Sequence, residues 1–256
     1  MTHIRIQDDA KADEDAQDIQ IITFDHPDTH NALTATMRRE LVDLLRAADD
    51  DEACRAVVIT GTDPAFTAGV DFKDAAASAA GSDPSTPATN PGQALRAMTT
   101  PIICAVNGAC VSGGLEIALS ATFLVASDRA RFADTHARLN VVPTWGLTAL
   151  LPRAVELHKA REMSSTGAFV NAEEALRIGL VNHVVPHEDL LPFTIRLAAQ
   201  ISATPAVTEI FSLYDRGADL DLSGALALEA AHTARRRVTP GAFAEAGKAF
   251  LAGRES

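Results

Sequence analysis

The stretch VSGGLEIALS, residues 111–120, combines two adjacent glycines with one carboxylate at the start of an apolar run. Gly113 and Gly114 would let another group approach the backbone closely. The N–H groups at a helix start lack intrahelical acceptors and can hold a developing oxyanion. Glu116 would then lie near the reacting carbon and transfer a proton. The local pattern by itself favours the structural alternative, a carboxylate that complements the positive end of the helix dipole.

Two further stretches carry residue types suited to chemistry. In FTAGVDF, residues 66–72, Gly69 marks a tight turn with exposed backbone N–H groups, which could form a second donor set opposite Gly113. His136 lies in ARFADTHARLNVVP and could take and give protons near neutral pH. A lone histidine is more often a surface residue or a satisfied core residue, so its pattern alone does not decide between the two roles.

Other reactive-looking residues fit their motifs poorly. A nucleophile elbow needs glycine two residues before and two after the serine, and Cys110 occupies the first of those positions around Ser112. His183 and His187 are separated by Val-Val-Pro, which argues against a helical zinc site. The sequence therefore predicts neither a serine hydrolase nor a metal centre.

The elements that must position these residues alternate between strands and helices. Hydrophobic patterning predicts strands at 19–24, 56–61, 101–108 and 123–127 and helices from Thr34 and over 113–121. The first strand–helix–strand order indicates parallel pairing with a right-handed crossover. Residues 8–18 and the Ala-, Ser- and Pro-rich segment 74–92 are predicted as loops, the second as a mobile surface segment or a lid. The end of the chain is predicted to be helical, with a long polar break near YDRGADLDLSG.

Composition narrows the class of protein. The chain has 256 residues, 47% of them hydrophobic, and a formal net charge of −12, which disfavours nucleic acid and anionic membranes as partners. Its three cysteines form no CxxC pair, which is typical of buried free thiols in a reducing cytosol. Neither a signal peptide nor a spanning segment is predicted. We therefore expect a cytoplasmic protein.

Five segments in order resemble the crotonase superfamily, the enoyl-CoA hydratase/isomerase group. HPDTHNAL is similar to the HP-x-x-x-NAL turn of that family, and FTAGVDF to its F-x-AG-x-DL loop. PIICAVNGACVSGGLEIALS is similar to P-x-IAA-x-NG…GGG-x-ELAL. ARFADTHARLNVVPTWG and RIGLVNHVVP are similar to the two later family segments. The match covers roughly residues 19–190 in register.

The resemblance implies an α/β fold, a crotonase-like spiral of ββα turns with a C-terminal helical region. It implies a core over residues 1–195 that binds acyl-CoA and carries catalysis. Residues 196–256 would then support oligomerisation and close the site. A homotrimer or a dimer of trimers is the expected assembly, with the coenzyme A thioester as substrate and no separate cofactor or metal.

The resemblance also implies roles for individual residues. The backbone N–H groups of Ala68 and Gly113 would form an oxyanion hole for a thioester enolate. The CoA or acyl contacts would come from Ala68, Gly69, Val70, Asp71, Gly113, Trp145 and Lys248. Glu116 matches the first of the two glutamates of family hydratases. The second falls at His136, because Thr135-His136 replaces the family's Pro-Glu pair.

Three functions therefore stay open at the level of sequence. The first is an enoyl-CoA hydratase, a lyase of fatty acid metabolism, in which Glu116 works with His136. The second is another crotonase-type reaction, namely hydrolysis, decarboxylation, C–C cleavage or isomerisation. The third is a CoA-binding protein without catalysis. Loss of the second glutamate counts against simple isomerisation, while Glu116 and the oxyanion motifs favour an enzyme.

Overall fold

The computed structural model describes residues 3–7, 18–77, 89–236 and 241–252. Most of the loop predicted at 8–18 and the central part of the lid predicted at 74–92 lie outside these residues. The chain divides into two compact units, Met1–Ala203 and Thr204–Ser256.

The strands and helices of the described residues are as follows. The strands are β1 Ile4–Gln7, β2 Ile19–Phe24, β3 Ala56–Gly61, β4 Ala65–Thr67, β5 Ile102–Val106, β6 Ala109–Val111, β7 Phe123–Ser127, β8 Arg131–Ala133, β9 Val170–Asn171 and β10 His183–Val185. The helices of the first unit are α1 Ala35–Asp50, α2 Phe72–Ala77, α3 Pro91–Ala97, α4 Gly113–Leu119, α5 Leu147–Val155, α6 Leu157–Thr166, α7 Ala172–Arg177 and α8 Leu190–Ala199. Those of the second unit are α9 Pro205–Gly217, α10 Leu222–Arg235 and α11 Ala242–Ala252.

The larger sheet confirms the predicted parallel pairing. Within the described residues it has six strands in the order β1-β2-β3-β5-β7-β10. Strands β2 and β3 pair in parallel from Ile19 opposite Ala56 to Phe24 opposite Gly61. Helix α1 makes the crossover between them, and the Thr34 side chain caps it by accepting a hydrogen bond from the N–H of Met37 at 3.2 Å.

Both faces of the six-stranded sheet are covered. Side chains alternate across a strand, so Ile22 and Val57 enter the larger core cluster while Ile21 and Val58 enter a second cluster on the opposite face. The predicted domain boundary at 195/196 falls inside α8, which belongs to the first unit. Buried Leu190 and Ala198 of α8 join the second cluster, so the helix packs with the sheet as part of one core.

Short strands of a second sheet follow the long strands in turn. Strand β4 follows β3, β6 follows β5 and β8 follows β7, and these short strands pair in parallel as β4-β6-β8. Helices come after each pair, which is the predicted ββα repetition. Because the carboxyl ends of parallel strands meet at one edge, the loops after β4, β6 and β8 are brought together there.

The second unit is helical, as predicted. The polar break is shorter than the sequence suggested, because Tyr214 to Gly217 complete α9 and only residues 218–221 separate it from α10. Asp221 caps α10 by accepting a hydrogen bond from the N–H of Gly224 at 2.7 Å. Among the cysteines, Cys104 and Cys110 are buried free thiols, and Cys54 is half-buried.

Candidate active site

The candidate site begins at the start of α4, where both glycines are needed for close packing. A Cβ on Gly114 would lie 2.5 Å from the carbonyl oxygen of Thr67, and a Cβ on Gly113 would lie 2.8 Å from Cζ3 of Trp145. Ser112, just before the helix, has a positive φ of 48°. Among the described residues, the N–H of Gly113 has no hydrogen-bond acceptor. It is therefore free to donate, as predicted for a helix start.

The loop after β4 corrects one predicted donor. The N–H of Ala68 donates to the carbonyl oxygen of His30 at 3.0 Å. The N–H groups of Gly69 and Asp71 are also used, by Thr67 Oγ1 at 3.1 Å and by the Leu33 carbonyl at 3.1 Å. Ala68 is therefore not a free donor.

The free donor of this loop is Val70, whose N–H has no acceptor among the described residues. The neighbouring Gly69, at φ +90°, brings the loop against the start of α4, because a Cβ there would lie 3.1 Å from the nitrogen of Gly113. The resemblance placed the donor at Ala68, but contacts with residues 30–33 decide which N–H groups of the loop are used: His30 accepts from Ala68, and the parallel bridge at Leu33 leaves the N–H of Val70 free. Val70 and Gly113 thus supply unpaired N–H groups from adjoining segments.

Glu116 is held in one orientation inside the protein. Its side chain is buried, and its Oε1 accepts hydrogen bonds from the N–H groups of Trp145 at 2.7 Å and Leu147 at 3.2 Å. Its Oε2 faces Nε2 of His136 at 3.7 Å. Burial raises the pKa of Glu116, although the two N–H groups and the nearby His136 act in the opposite direction. The carboxyl group is therefore easier to protonate than that of an exposed glutamate.

His136 is oriented by a carboxylate that sequence reasoning missed. Its Nδ1 lies 2.6 Å from Oδ1 of Asp134, and its backbone N–H donates to the same oxygen at 3.1 Å. Burial alone would raise the pKa of Asp134, but hydrogen bonds from His136 and Ser164 outweigh it and hold that pKa below its ordinary value. An ionised carboxylate only accepts, so Nδ1 is the donor and Nε2 is directed to Glu116. The two-residue Asp–His spacing in ADTHA is the signal that could have identified Asp134.

The Trp145 indole packs against Gly113 at the start of α4, and Arg96 fixes the loop that carries it. The Trp145 side chain is buried. Its backbone carbonyl accepts a hydrogen bond from Nη1 of Arg96 at 2.6 Å, and the same nitrogen donates to Oγ of Ser120 at 2.9 Å. Because the N–H of Trp145 binds Glu116, Arg96 also helps to position that carboxylate. No sequence pattern indicates a role for Arg96, which lies in the last turn of α3.

Asp71 and Lys248, the remaining residues predicted to contact CoA, lie in different parts of the chain. Asp71 accepts hydrogen bonds from the N–H groups of Lys73 and Asp74 at 2.8 and 3.0 Å, so it caps the start of α2. Lys248 lies in α11 of the second unit and is exposed. Within the described part of the chain, no cluster of three or more His, Cys, Asp and Glu residues could hold a metal ion.

Two free N–H groups, together with a buried carboxyl group that faces a half-buried imidazole, are what an enzyme needs to stabilise an oxyanion and move protons next to it. Similarity to known proteins supports an enzyme of this class. The sequence profile of the enoyl-CoA hydratase/isomerase family matches residues 14–249. The chain belongs to this family.

Individual relatives support the same assignment. The chain is 37% identical over 242 residues to a probable peroxisomal enoyl-CoA hydratase 1 of Arabidopsis thaliana, covering 93% of this chain and 91% of the relative. It is 32% identical over 222 residues to a crotonyl-CoA hydratase of Syntrophomonas wolfei, covering 85% of each.

Solved structures confirm the fold. An enoyl-CoA hydratase from Mycobacterium tuberculosis superimposes with a TM-score of 0.73 at 40% identity, covering 90% of this chain and 96% of that one. A probable enoyl-CoA hydratase/isomerase from Mycobacterium abscessus gives a TM-score of 0.84 at 29% identity over 99% and 97% of the two chains. The predicted crotonase-like α/β fold and an enoyl-CoA hydratase-like enzyme are therefore confirmed. None of the helices in the described ranges is long and apolar enough to cross a membrane.

Proposed function

We propose that the protein adds water across the double bond of a trans-2-enoyl-CoA. The observation that carries this proposal is the 3.7 Å approach of Glu116 Oε2 and His136 Nε2. Hydrogen bonds to Oε1 and Nδ1 fix both groups, so that their two unpaired atoms face each other. A water oxygen at about 2.8 Å from both atoms fits this separation.

The enolate oxygen is held by the N–H groups of Val70 and Gly113. Negative charge develops on the thioester oxygen when the water oxygen bonds to Cβ. Both N–H groups lack protein acceptors among the described residues, so they can donate to that oxygen without losing other hydrogen bonds. Preorganised donors of this kind contribute several kcal/mol to catalysis, about 3 per donor. Val70 replaces Ala68 in this role.

The proton balance requires Glu116 and His136 to share one proton. The basic member of the pair takes a proton from water as the C–O bond forms at Cβ. The acidic member gives its proton to Cα as the enolate collapses. The pair holds one proton before and after the reaction, and the proton moves between its members to reset it. The raised pKa of Glu116 and the carboxylate of Asp134 behind His136 both favour such sharing.

The family resemblance supplies the rest of the proposal. The loop from Ala68 to Asp71 lines the CoA site and Trp145 bounds the acyl group, while Lys248 contributes to holding the phosphates of a CoA bound to a neighbouring subunit. The protein acts in the cytoplasm in fatty acid metabolism, as a homotrimer or a dimer of trimers. The substrate supplies the coenzyme A, and no further cofactor takes part.

Hydrolysis, decarboxylation, C–C cleavage or isomerisation of an acyl-CoA would use the same oxyanion donors. The facing Glu116–His136 pair favours hydration over decarboxylation and isomerisation, because those two reactions need no base for water. Thioester hydrolysis needs no acid for Cα, and hydrolytic C–C cleavage would use the same pair on a different substrate. Product identification by mass spectrometry separates them. A protein that binds acyl-CoA without turnover is the remaining alternative.

Glu116→Gln tests the proposal most directly. The amide keeps an oxygen for the N–H groups of Trp145 and Leu147 but cannot exchange a proton, so we expect kcat to fall by about a hundredfold to ten-thousandfold. The measurement is the loss of the conjugated absorbance of but-2-enoyl-CoA and hex-2-enoyl-CoA. Glu162→Gln, on an exposed helix surface, is the matched control. Unchanged absorbance with the wild-type protein on every enoyl-CoA would falsify the proposed hydration.

A further inference from the structure

Arg38 is a buried cation that the proposed reaction does not use. It lies on α1, and only 2% of its surface is exposed. Its Nε and Nη1 atoms have no hydrogen-bond partner within the part of the chain that the structure describes. Leaving charged donors buried and unpaired costs free energy, so such an arrangement in a native protein indicates a missing anionic partner.

The guanidinium lies at the candidate active site. Its Cζ is 5.9 Å from the ring centroid of Trp145, and the same indole packs against Gly113, the proposed oxyanion donor. The thioester oxygen and Arg38 would therefore both adjoin one aromatic side chain. An acyl chain that extends from the oxyanion donors along this indole would bring its far end to the guanidinium.

The charged neighbours of Arg38 leave it available. Burial lowers its pKa, Asp74 raises it and Arg39 lowers it. The Asp74 carboxylate forms no ion pair with Arg38 within the described residues, and its Oδ2 accepts a hydrogen bond from the N–H of Ala35 at 2.8 Å. A guanidinium stays protonated at neutral pH, so the site presents a positive charge inside a chain of net charge −12.

We propose that Arg38 binds a carboxylate at the far end of the acyl group, so that the preferred substrates are 2-enoyl-CoA thioesters of dicarboxylic acids. This inference rests on the proposed hydration and adds its substrate class. The Trp145 ring contacts the apolar middle of the chain, and the free N–H groups of Arg38 donate to the carboxylate. Charge-assisted hydrogen bonds of this kind are among the stronger contacts in proteins.

Two substrates of equal length test the proposal. Hex-2-enoyl-CoA ends in a methyl group, and the monothioester of hex-2-enedioic acid with CoA ends in a carboxylate. We expect the wild-type protein to prefer the dicarboxylic substrate in kcat/KM, and Arg38→Met to lower its use by about tenfold to a hundredfold with little change for hex-2-enoyl-CoA. Arg39→Met, on the exposed adjacent position of the same helix, is the matched control and should retain the preference.

A binding measurement separates this inference from the proposed reaction. Calorimetry with saturated hexanoyl-CoA and hexanedioyl-CoA reports recognition of the carboxylate without turnover. Tighter binding of hexanedioyl-CoA that is lost in Arg38→Met supports the role of Arg38 even if no enoyl-CoA is hydrated, in which case the proposed hydration alone fails. Hydration of both hexenoyl substrates with equal kcat/KM, unaffected by Arg38→Met, overturns the role of Arg38 and leaves hydration intact.

Arg38→Lys guards against a folding defect in the methionine variant. Lysine keeps the charge on a flexible side chain with a different donor geometry, so it should retain part of the dicarboxylate preference. If the folded lysine and methionine variants lose kcat/KM equally on hex-2-enoyl-CoA and on the dicarboxylic substrate, Arg38 supports the Trp145 side chain and does not bind the carboxylate.

Discussion

Two histidines of the first unit lie in clusters of similar composition. The His136 cluster consists of Asp134, His136 and Glu116. The His187 cluster consists of Asp63, His187 and Ser127, in which Nε2 of the imidazole lies 2.9 Å from Asp63 Oδ2 and Nδ1 lies 2.9 Å from Ser127 Oγ. Each ring is held by a carboxylate on one side and meets a second reactive side chain on the other.

The difference lies in which atoms remain unsatisfied. Ser127 is completely buried, and its Oγ accepts a hydrogen bond from the N–H of Arg129 at 3.0 Å as well as meeting His187. That hydroxyl also donates to Oδ1 of Asp128 at 3.3 Å, so its hydrogen bonds are used within the protein and the Asp63–His187–Ser127 series joins loops and strands. In the His136 cluster, Nε2 and Glu116 Oε2 face each other at 3.7 Å beside the free N–H of Gly113. A histidine–carboxylate pair can therefore have a purely structural role. Donor and acceptor atoms without a protein partner distinguish the candidate active site from such a pair.

The largest expected contrast between the clusters is in activity after histidine replacement. We expect His136→Gln to lower kcat by about a hundredfold, because glutamine cannot exchange protons. His187→Gln should leave kcat nearly unchanged and lower the free energy of unfolding by about 1–2 kcal/mol through lost hydrogen bonds. Steady-state kinetics and denaturant unfolding of both variants check this. A comparable loss of kcat in His187→Gln would remove the distinction.

A smaller contrast is expected when the two carboxylates behind the histidines are made neutral. Asp134→Asn keeps an acceptor for Nδ1 of His136 but removes the charge that stabilises an imidazolium, so we expect kcat/KM to fall by about tenfold. Asp63→Asn should not change kcat/KM, because its histidine does not meet substrate. The measurement is hydration of but-2-enoyl-CoA across pH 5 to 9. Equal effects of the two substitutions would mean that Asp134 does not act through His136.

The smallest contrast concerns stability and has opposite signs at the two carboxylates. Burial raises the folded-state pKa of Glu116 above its ordinary value of 4.5, so its contribution to stability is complete below that value and is lost as pH rises through the folded-state pKa. Glu116→Gln should therefore be more stable than the wild type at neutral pH, with the difference vanishing below pH of about 4.

Asp63 behaves in the opposite way. Burial alone would raise its pKa, but hydrogen bonds from Asn107 and His187 hold it below its ordinary value of 3.8. Its carboxylate therefore contributes stability above that value, which is lost as pH falls through the folded-state pKa. Asp63→Asn should be slightly less stable at neutral pH, by less than about 1 kcal/mol because the side chain is 58% exposed. Thermal unfolding of both variants between pH 3 and 7.5 tests the signs, and a stabilised Asp63→Asn would contradict this assignment.

The sequence by itself determined the long strands, the start of α1 at Thr34 and the family, and it pointed to Glu116 as a candidate proton carrier. These features depend on local patterns, namely β-branched runs, a capping residue and glycines next to an apolar helix, which a single chain segment contains in full. The clustering of the loops after β4, β6 and β8 was also implied, through the resemblance to a spiral of ββα turns.

Only the tertiary structure decided which atoms in those loops are free. The exchange of Ala68 for Val70 as the loop donor follows from a bridge to Leu33, a residue distant in sequence. The availability of Arg38 depends likewise on its burial beside Trp145 without a partner. Hydrogen bonds consume donors and acceptors between segments distant in sequence, so residue type can suggest a reactive group, but only the folded chain shows whether that group is already occupied.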